Sequence, residues 1–141
     1  MKADLEKVKQ RINEDYFNLW NKSSSNPFVA TDMPKVYLST EALEIIDPDF
    51  SMNDASLSAR QAGFDTIYPL LTAPWNFISE GGITEISHIR LDFLGNGILA
   101  SLQAKGLLNF KNGSSHQIDR NATQIWKYHN DNWYIAYEHV S

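Results

Sequence analysis

The sequence has no cysteine, which removes disulfides, thiol nucleophiles and thiolate metal sites together. No apolar run approaches the ~20 residues that a bilayer-crossing helix needs. Basic residues are scarce and dispersed: twelve Lys and Arg stand against seventeen Asp and Glu, for a formal charge of −5. Without a Lys/Arg cluster, the electrostatic footprint of a nucleic-acid binder is missing. A glycine-rich phosphate loop is missing too, since Gly81-Gly82 stands ahead of a strand and not a helix. There is no G-x-S-x-G elbow. His88, His116, His129 and His139 show no metal-ligand spacing, so neither a metal nor a cofactor is expected. The opening segment MKADLEKVKQRINEDYF is charged and amphipathic, unlike an apolar leader. These exclusions predict a soluble cytoplasmic protein whose partners include neither nucleic acid nor membrane.

What is present is aromatic. Four Trp, six Tyr and seven Phe make up 12% of 141 residues. Rings at that density serve a substantial core or line a cavity. The length fits one domain over 1–141, able to bury roughly two-thirds of its unfolded surface.

Leu5, Val8, Ile12, Tyr16, Leu19 and Trp20 step by three or four, one face of a long helix, closed by the polar run Asn21 to Pro27. PKVYLS, from Pro34, is compatible with a helical turn or a short strand. Ala42 to Ile46 reads as a strand stopped by Asp47-Pro48-Asp49, and a second helix is predicted from Ser58 to Leu71. After Ile83 the pattern is that of an antiparallel meander. Helix, strand, helix and meander make an α+β plan with helices packed on one bent sheet.

Strand faces follow from assumed turns. A two-residue turn at Asn96-Gly97 sets Phe93, Leu91 and Ile89 opposite Ala100, Leu102 and Ala104, leaving the polar side chains on the other face. A turn at Asn112-Gly113 places Thr123 and Ile125 on the apolar face. For the last hairpin, a two-residue loop at Asn130-Asp131 puts Trp133, Ile135, Tyr137 and His139 opposite Ile125, whereas a bulged three-residue loop unites them. The bulged form gives one continuous apolar face and is the preferred reading. The other face then carries Trp126, Tyr128 and Tyr134, more aromatic surface than a solvated sheet exposes, and a homodimer is expected there.

The C-terminal residues carry a resemblance. Thr123-x-Ile125-Trp126, a polar turn, Trp133-x-Ile135 and then Glu138-His139-Val140-Ser141 resemble the closing signature of the nuclear transport factor 2-like superfamily, nearest its SnoaL-like branch. The resemblance implies a cone-shaped roll, a curved sheet around N-terminal helices with a central cavity, usually dimeric. Its members include ketosteroid isomerases, polyketide cyclases, dehydratases and the association domains of calcium/calmodulin-dependent kinases, so the fold alone says little of chemistry. Two departures stand out. Tyr137 replaces the first His of the branch's His-Glu-His run, and Asn121 stands where an Arg is common, with Arg120 displaced by one.

By that resemblance Asp47 is a general base, raised in pKa by an apolar cavity. Its plainer reading is a turn-forming Asp-Pro-Asp. Tyr16 is implied as an oxyanion donor, beside its plainer reading as a core residue with a satisfied hydroxyl. The isomerases' second donor falls near Thr123, where a hydroxyl is weaker. His139 and Tyr137 are candidates for proton transfer and ligand contact, or for structural hydrogen bonds. Glu138 is expected to point the other way, toward solvent or a partner. Trp75, beside Phe77 and Ile78, lids the cavity or simply packs. The expected ligand is a small, largely apolar molecule touching Tyr137, Thr123, Trp75 and Ile125, with Asp47, His139 and Tyr16 as catalytic candidates. An assembly module is the alternative.

Overall fold

The computed structural model describes residues 2–141. The periodic N-terminal segment forms helix α1 (Lys2–Arg11), a single π-helical segment (Ile12–Tyr16) and α2 (Phe17–Trp20) without a break. Val8, Ile12, Tyr16 and Leu19 form its buried face. The π segment shifts the helical phase just where Tyr16 turns inward, a local irregularity that recurs at functional sites. Strand β1 (Asn21–Lys22), a 3-10 turn (Ala30–Lys35), β2 (Glu44–Ile46), α3 (Pro48–Asn53), β3 (Arg60–Ala62), α4 (Phe64–Thr72) and another 3-10 turn (Ala73–Phe77) follow. The meander comprises β4 (Ile78–Leu94), β5 (Gly97–Phe110), β6 (Ser115–His129) and β7 (Asn132–Val140).

All seven strands form one sheet in the order β1-β4-β5-β6-β7-β2-β3. Its neighbours are antiparallel except β2 beside β7, which run parallel. The α+β roll expected from the sequence is therefore the observed architecture, while two local readings need correction. Asp47-Pro48-Asp49 does not merely stop a strand. Asp47 caps α3, its carboxylate accepting the Asp49 N–H at 2.9 Å, with Pro48 in the first turn, where its missing N–H costs nothing. The predicted helix from Ser58 begins only at Phe64, because Arg60–Ala62 pairs with β2.

Turn geometry decides which side chains enter the roll. The first hairpin turns at Gly95-Asn96, not Asn96-Gly97: Leu94 pairs with Gly97, and Gly95 takes φ +60, as a two-residue turn with glycine first requires. That slides the pairing by two residues, an even number, so the faces near the turn stay as read. The second hairpin differs more. Its loop is the three residues 111–113, bounded by Phe110 N–H donating to the Ser114 carbonyl at 2.8 Å and closed by Gly113 at φ +89. One extra loop residue inverts the parity of β6, so Ala122, Gln124 and Trp126 face inward and Thr123 and Ile125 face out. The last turn is the two-residue Asn130-Asp131 loop, both residues at positive φ. The bulge lies instead inside β7 at Ala136, between the pairs Trp126–Ile135 and Ile125–Tyr137. Ile135 is thus opposite in facing to Ile125 and His139, against the reading that grouped them. Trp126 is fully buried rather than part of an outer face, with the Arg11 guanidinium 5.8 Å from its ring.

The core lies between the α1–α2 face and the concave sheet, where Val8, Ile12 and Leu19 meet Ile98, Ala100, Leu102, Trp126 and Ile135. Two glycines allow the bend on the far side. Gly81 and Gly82 (φ +106 and +119) bring β4 so close to its neighbours that an added Cβ would strike the Leu107 and Trp20 carbonyls respectively. No helix of the described residues is long and apolar enough to cross a membrane.

Candidate functional site

Between the helices and the concave face lies a cavity of about 470 Å³, within the size range of small-molecule sites. Its apolar walls include Phe50, Leu70, Leu71, Trp75, Ile83 and Ile118; its polar groups include Tyr16, Tyr37, Asp47, Arg120 and Glu138, with His116 also in the lining. Trp75 belongs to a stack, its ring 4.9 Å from Phe28 and 6.1 Å from Trp20, nearly parallel to both.

Glu138 is buried, 3% exposed, as are Tyr16 and Tyr37 beside it. Tyr37 donates its hydroxyl to one carboxylate oxygen and Gln124 its amide to the other, both at 2.7 Å. The orientation of Gln124 is forced, because the Trp126 indole can only donate and gives its N–H to the Gln124 oxygen at 2.9 Å. The amide nitrogen is thereby turned to Glu138. Trp20 Nε1 reaches the Tyr37 hydroxyl at 3.3 Å. Burial drives the Glu138 pKa up, partly offset by hydrogen bonds from Tyr37, Gln124 and Tyr16. Both phenols are held well above their ordinary pKa, by burial first and by the charge of Glu138 second. They remain protonated donors across any physiological pH.

Asp47, 6% exposed, sits at the C-terminal end of β2. Burial raises its pKa and the charge of Asp49 adds to the rise, while the Asp49 backbone N–H and Arg120 pull the other way. Arg120 lies 3.7 Å from Asp47 and 3.4 Å from Asp49. The two buried acids differ in kind: one is held by neutral donors, the other faces a cation. Both carboxyls are raised in pKa by burial, the usual way a cavity readies an acid to exchange protons.

The structure brings Tyr16, Asp47 and Trp75 into one cavity. It does not bring His139, Tyr137, Thr123 or Ile125 there. His139 and Thr123 pair with each other, exposed on the outer face, and Ile125 and Tyr137 pair half-buried beside them. The cause is the parity inversion at the loop 111–113 together with the bulge at Ala136. Glu138, expected to face away, points inward instead. The sequence reading missed Tyr37, Gln124 and Arg120. Gln124 could have been found from Ala122-x-Gln124-x-Trp126, whose alternation places the polar residue on the face of the largest apolar one. Tyr37 carries no local signal, because a lone 3-10 turn and its bridge to Ile135 position it. Among the described residues, no group of three or more His, Asp or Glu side chains converges to hold a metal ion.

No protein-family model matches this chain, and no curated protein matches it in sequence. Solved structures do match. A nuclear transport factor 2-like superfamily protein from Salmonella enterica aligns with TM-score 0.70 at 14% identity, over 99% of this chain and 88% of that one. The fold is nuclear transport factor 2-like. A protein assigned as a scytalone dehydratase from Novosphingobium aromaticivorans shares the same nuclear transport factor 2-like shape, with TM-score 0.74 at 10% identity, over 98% of this chain and 83% of that one. A hexachlorocyclohexane dehydrochlorinase (LinA, type 2) matches with TM-score 0.69 at 11% identity, over 100% and 88%.

Proposed function

We propose that this chain is a cofactor-independent enzyme of the SnoaL-like kind, which admits a small, largely apolar molecule and moves a proton within it by isomerisation, cyclisation or elimination. The observation that carries this reading is the pair of buried carboxyls, Asp47 and Glu138, in one cavity with two protonated phenols and one guanidinium. Asp47, raised in pKa by burial, takes a proton from a carbon beside a carbonyl or leaving group. Charge that develops on the ligand's oxygen meets the Tyr16 phenol and the Arg120 guanidinium in a low-dielectric setting, where such interactions are strong. Glu138 holds the Tyr37 hydroxyl in place and fixes the polar floor. Among the similar structures, one is described as a dehydratase and one as a dehydrochlorinase, and those names support elimination among the three. Two acids kept out of water in one cavity support this reading over an assembly module.

The test is a screen in D2O of cyclic ketones and β-hydroxy ketones, followed by mass spectrometry for deuterium uptake or loss of water. The expected outcome is exchange or elimination by the wild-type protein that disappears in Asp47→Asn. Ligands that bind, by tryptophan quenching, but show neither exchange nor elimination above buffer would refute the proposal.

A further inference from the structure

The aromatic wall has a second side. Another cavity, of about 620 Å³, shares Trp75 and Ile78 with the first and is otherwise lined by different residues, among them Phe28, Tyr68 and Pro69. Its charged residues are Lys22 and Lys111, with no carboxylate in the lining, although the chain as a whole carries −5. Lys22 is 7% exposed. It is positioned by β1 pairing with β4 opposite Gly81, a residue with no side chain to cover it. Lys111 is exposed, and its backbone N–H donates to the Phe77 carbonyl at 2.9 Å, which holds its main chain at the cavity.

None of the side chains of Lys22, Lys111, Ser24 and Asn76 makes a hydrogen bond or ion pair among the described residues. Asp32 attracts Lys22 from a distance, but its carboxylate is held by Lys35 at 3.0 Å. The Lys22 side chain is largely covered while its ammonium keeps access to the cavity, and burial lowers its pKa. An anion in the cavity meets the two ammonium groups and two further donors at its exposed edge, Ser24 and Asn76.

We infer that this second cavity is a binding site for a small organic anion, a carboxylate or phosphate joined to a flat apolar body. Lys22 and Lys111 take the charge, and Phe28 and Tyr68 take the body. The site is separate from the chemistry proposed for the first cavity, and binding is read without turnover, so either reading can fail alone.

The experiment is calorimetric titration of the full chain, at low salt, with phenyl phosphate, benzoate and inorganic phosphate. Phenyl phosphate is expected to saturate one site, more tightly than inorganic phosphate, which lacks the apolar body, and to weaken as salt is added. If benzoate matches phenyl phosphate the ligand class is a carboxylic acid; if it binds more weakly the class is a phosphate ester. Lys22→Met and Lys111→Gln should each weaken binding roughly tenfold or more, the scale of a charge-assisted contact. Arg120→Gln distinguishes the two cavities, because it alters the first and should leave this affinity unchanged. If Lys22→Met does not fold, Lys111→Gln and the salt response decide. No saturable binding at millimolar ligand, indifference to Lys111→Gln, or loss in Arg120→Gln would each overturn the inference.

Discussion

Replacing Tyr37 by Phe removes one oxygen from the molecule and isolates the role of the Glu138 network. The lost contacts are a 2.7 Å hydrogen bond to a carboxylate and a longer one, 3.3 Å, accepted from the Trp20 indole; the ring itself stays, so no large void opens. A buried hydrogen bond to a charged group contributes about 1.5–3 kcal/mol. For a chain of this size that corresponds to a fall in Tm of roughly 5–10 °C. The cost should depend on pH with a definite sign. Burial raises the Glu138 pKa above its unfolded value, so this group stabilises the fold fully below the ordinary glutamate pKa and loses that contribution as pH rises through its folded pKa. The Tyr37 bond favours the charged form, so Tyr37→Phe lifts the folded pKa further and costs most above it and least in acid. A double-mutant cycle with Glu138→Gln sharpens the point. Gln124 is locked by Trp126, so the oxygen of the introduced amide must accept from Gln124 and its NH2 must face the Tyr37 hydroxyl. The tyrosine is left as an acceptor, and its removal then costs only about 1 kcal/mol. Thermal and urea melts between acid and neutral pH measure all four proteins. A Tyr37→Phe cost that is the same at every pH, or unchanged in the Glu138→Gln background, would show that Glu138 is not the charged acceptor described.

Three further outcomes are expected. Asp47→Asn should keep the α3 cap and change stability by only a few tenths of a kcal/mol, whereas Asp47→Ala should cost about 1 kcal/mol. If Asp47 is the base, Asp47→Asn should lower turnover about a hundredfold or more. The acid limb of the wild-type rate profile should then be displaced upward from the ordinary aspartate value, activity falling as Asp47 takes its proton. Gly82→Ala should destabilise by about 3 kcal/mol or more, from its positive φ and the collision with Trp20; wild-type melting would contradict the close approach of β4. A homodimer through the outer face is proposed from the half-buried cross-strand row Leu99–Ile125–Tyr137. Light scattering should then give twice 16.1 kDa for the wild type and one chain's mass for Ile125→Glu, and a monomeric wild type would refute it.

The long N-terminal helix was readable because its apolar period runs over many residues, and the four long strands were readable from their alternation. Which face of a strand turns inward was not. Asn112-Gly113 fits both a two-residue and a three-residue loop, and one residue of difference decides whether Thr123 or Gln124 faces the interior. Buried Glu138 and Gln124 contradict the rule that polar side chains point out, because they partner each other across neighbouring strands and Glu138 finds its other donor, Tyr37, far away in sequence. Asp47 was found through the resemblance and through its local turn chemistry. The π segment that places Tyr16 leaves no trace in the residue pattern. The helix expected over Ser58 to Leu71 failed at its start, where pairing with β2 outweighs local preference.

The bulge at Ala136 gives β7 two alternative inventories for one interior. Upstream of it Trp133 and Ile135 point in, and downstream Glu138 and Val140 do. Tyr137 and His139 stand ready on the reverse side. If the extra residue were absorbed into a regular ladder, with nothing substituted, the phenol and the imidazole would enter and the carboxylate would leave. A lineage using this scaffold can therefore exchange an acid for a titrating base by letting an irregularity migrate along a strand. Comparing such proteins column by column would then align residues that never occupy the same space.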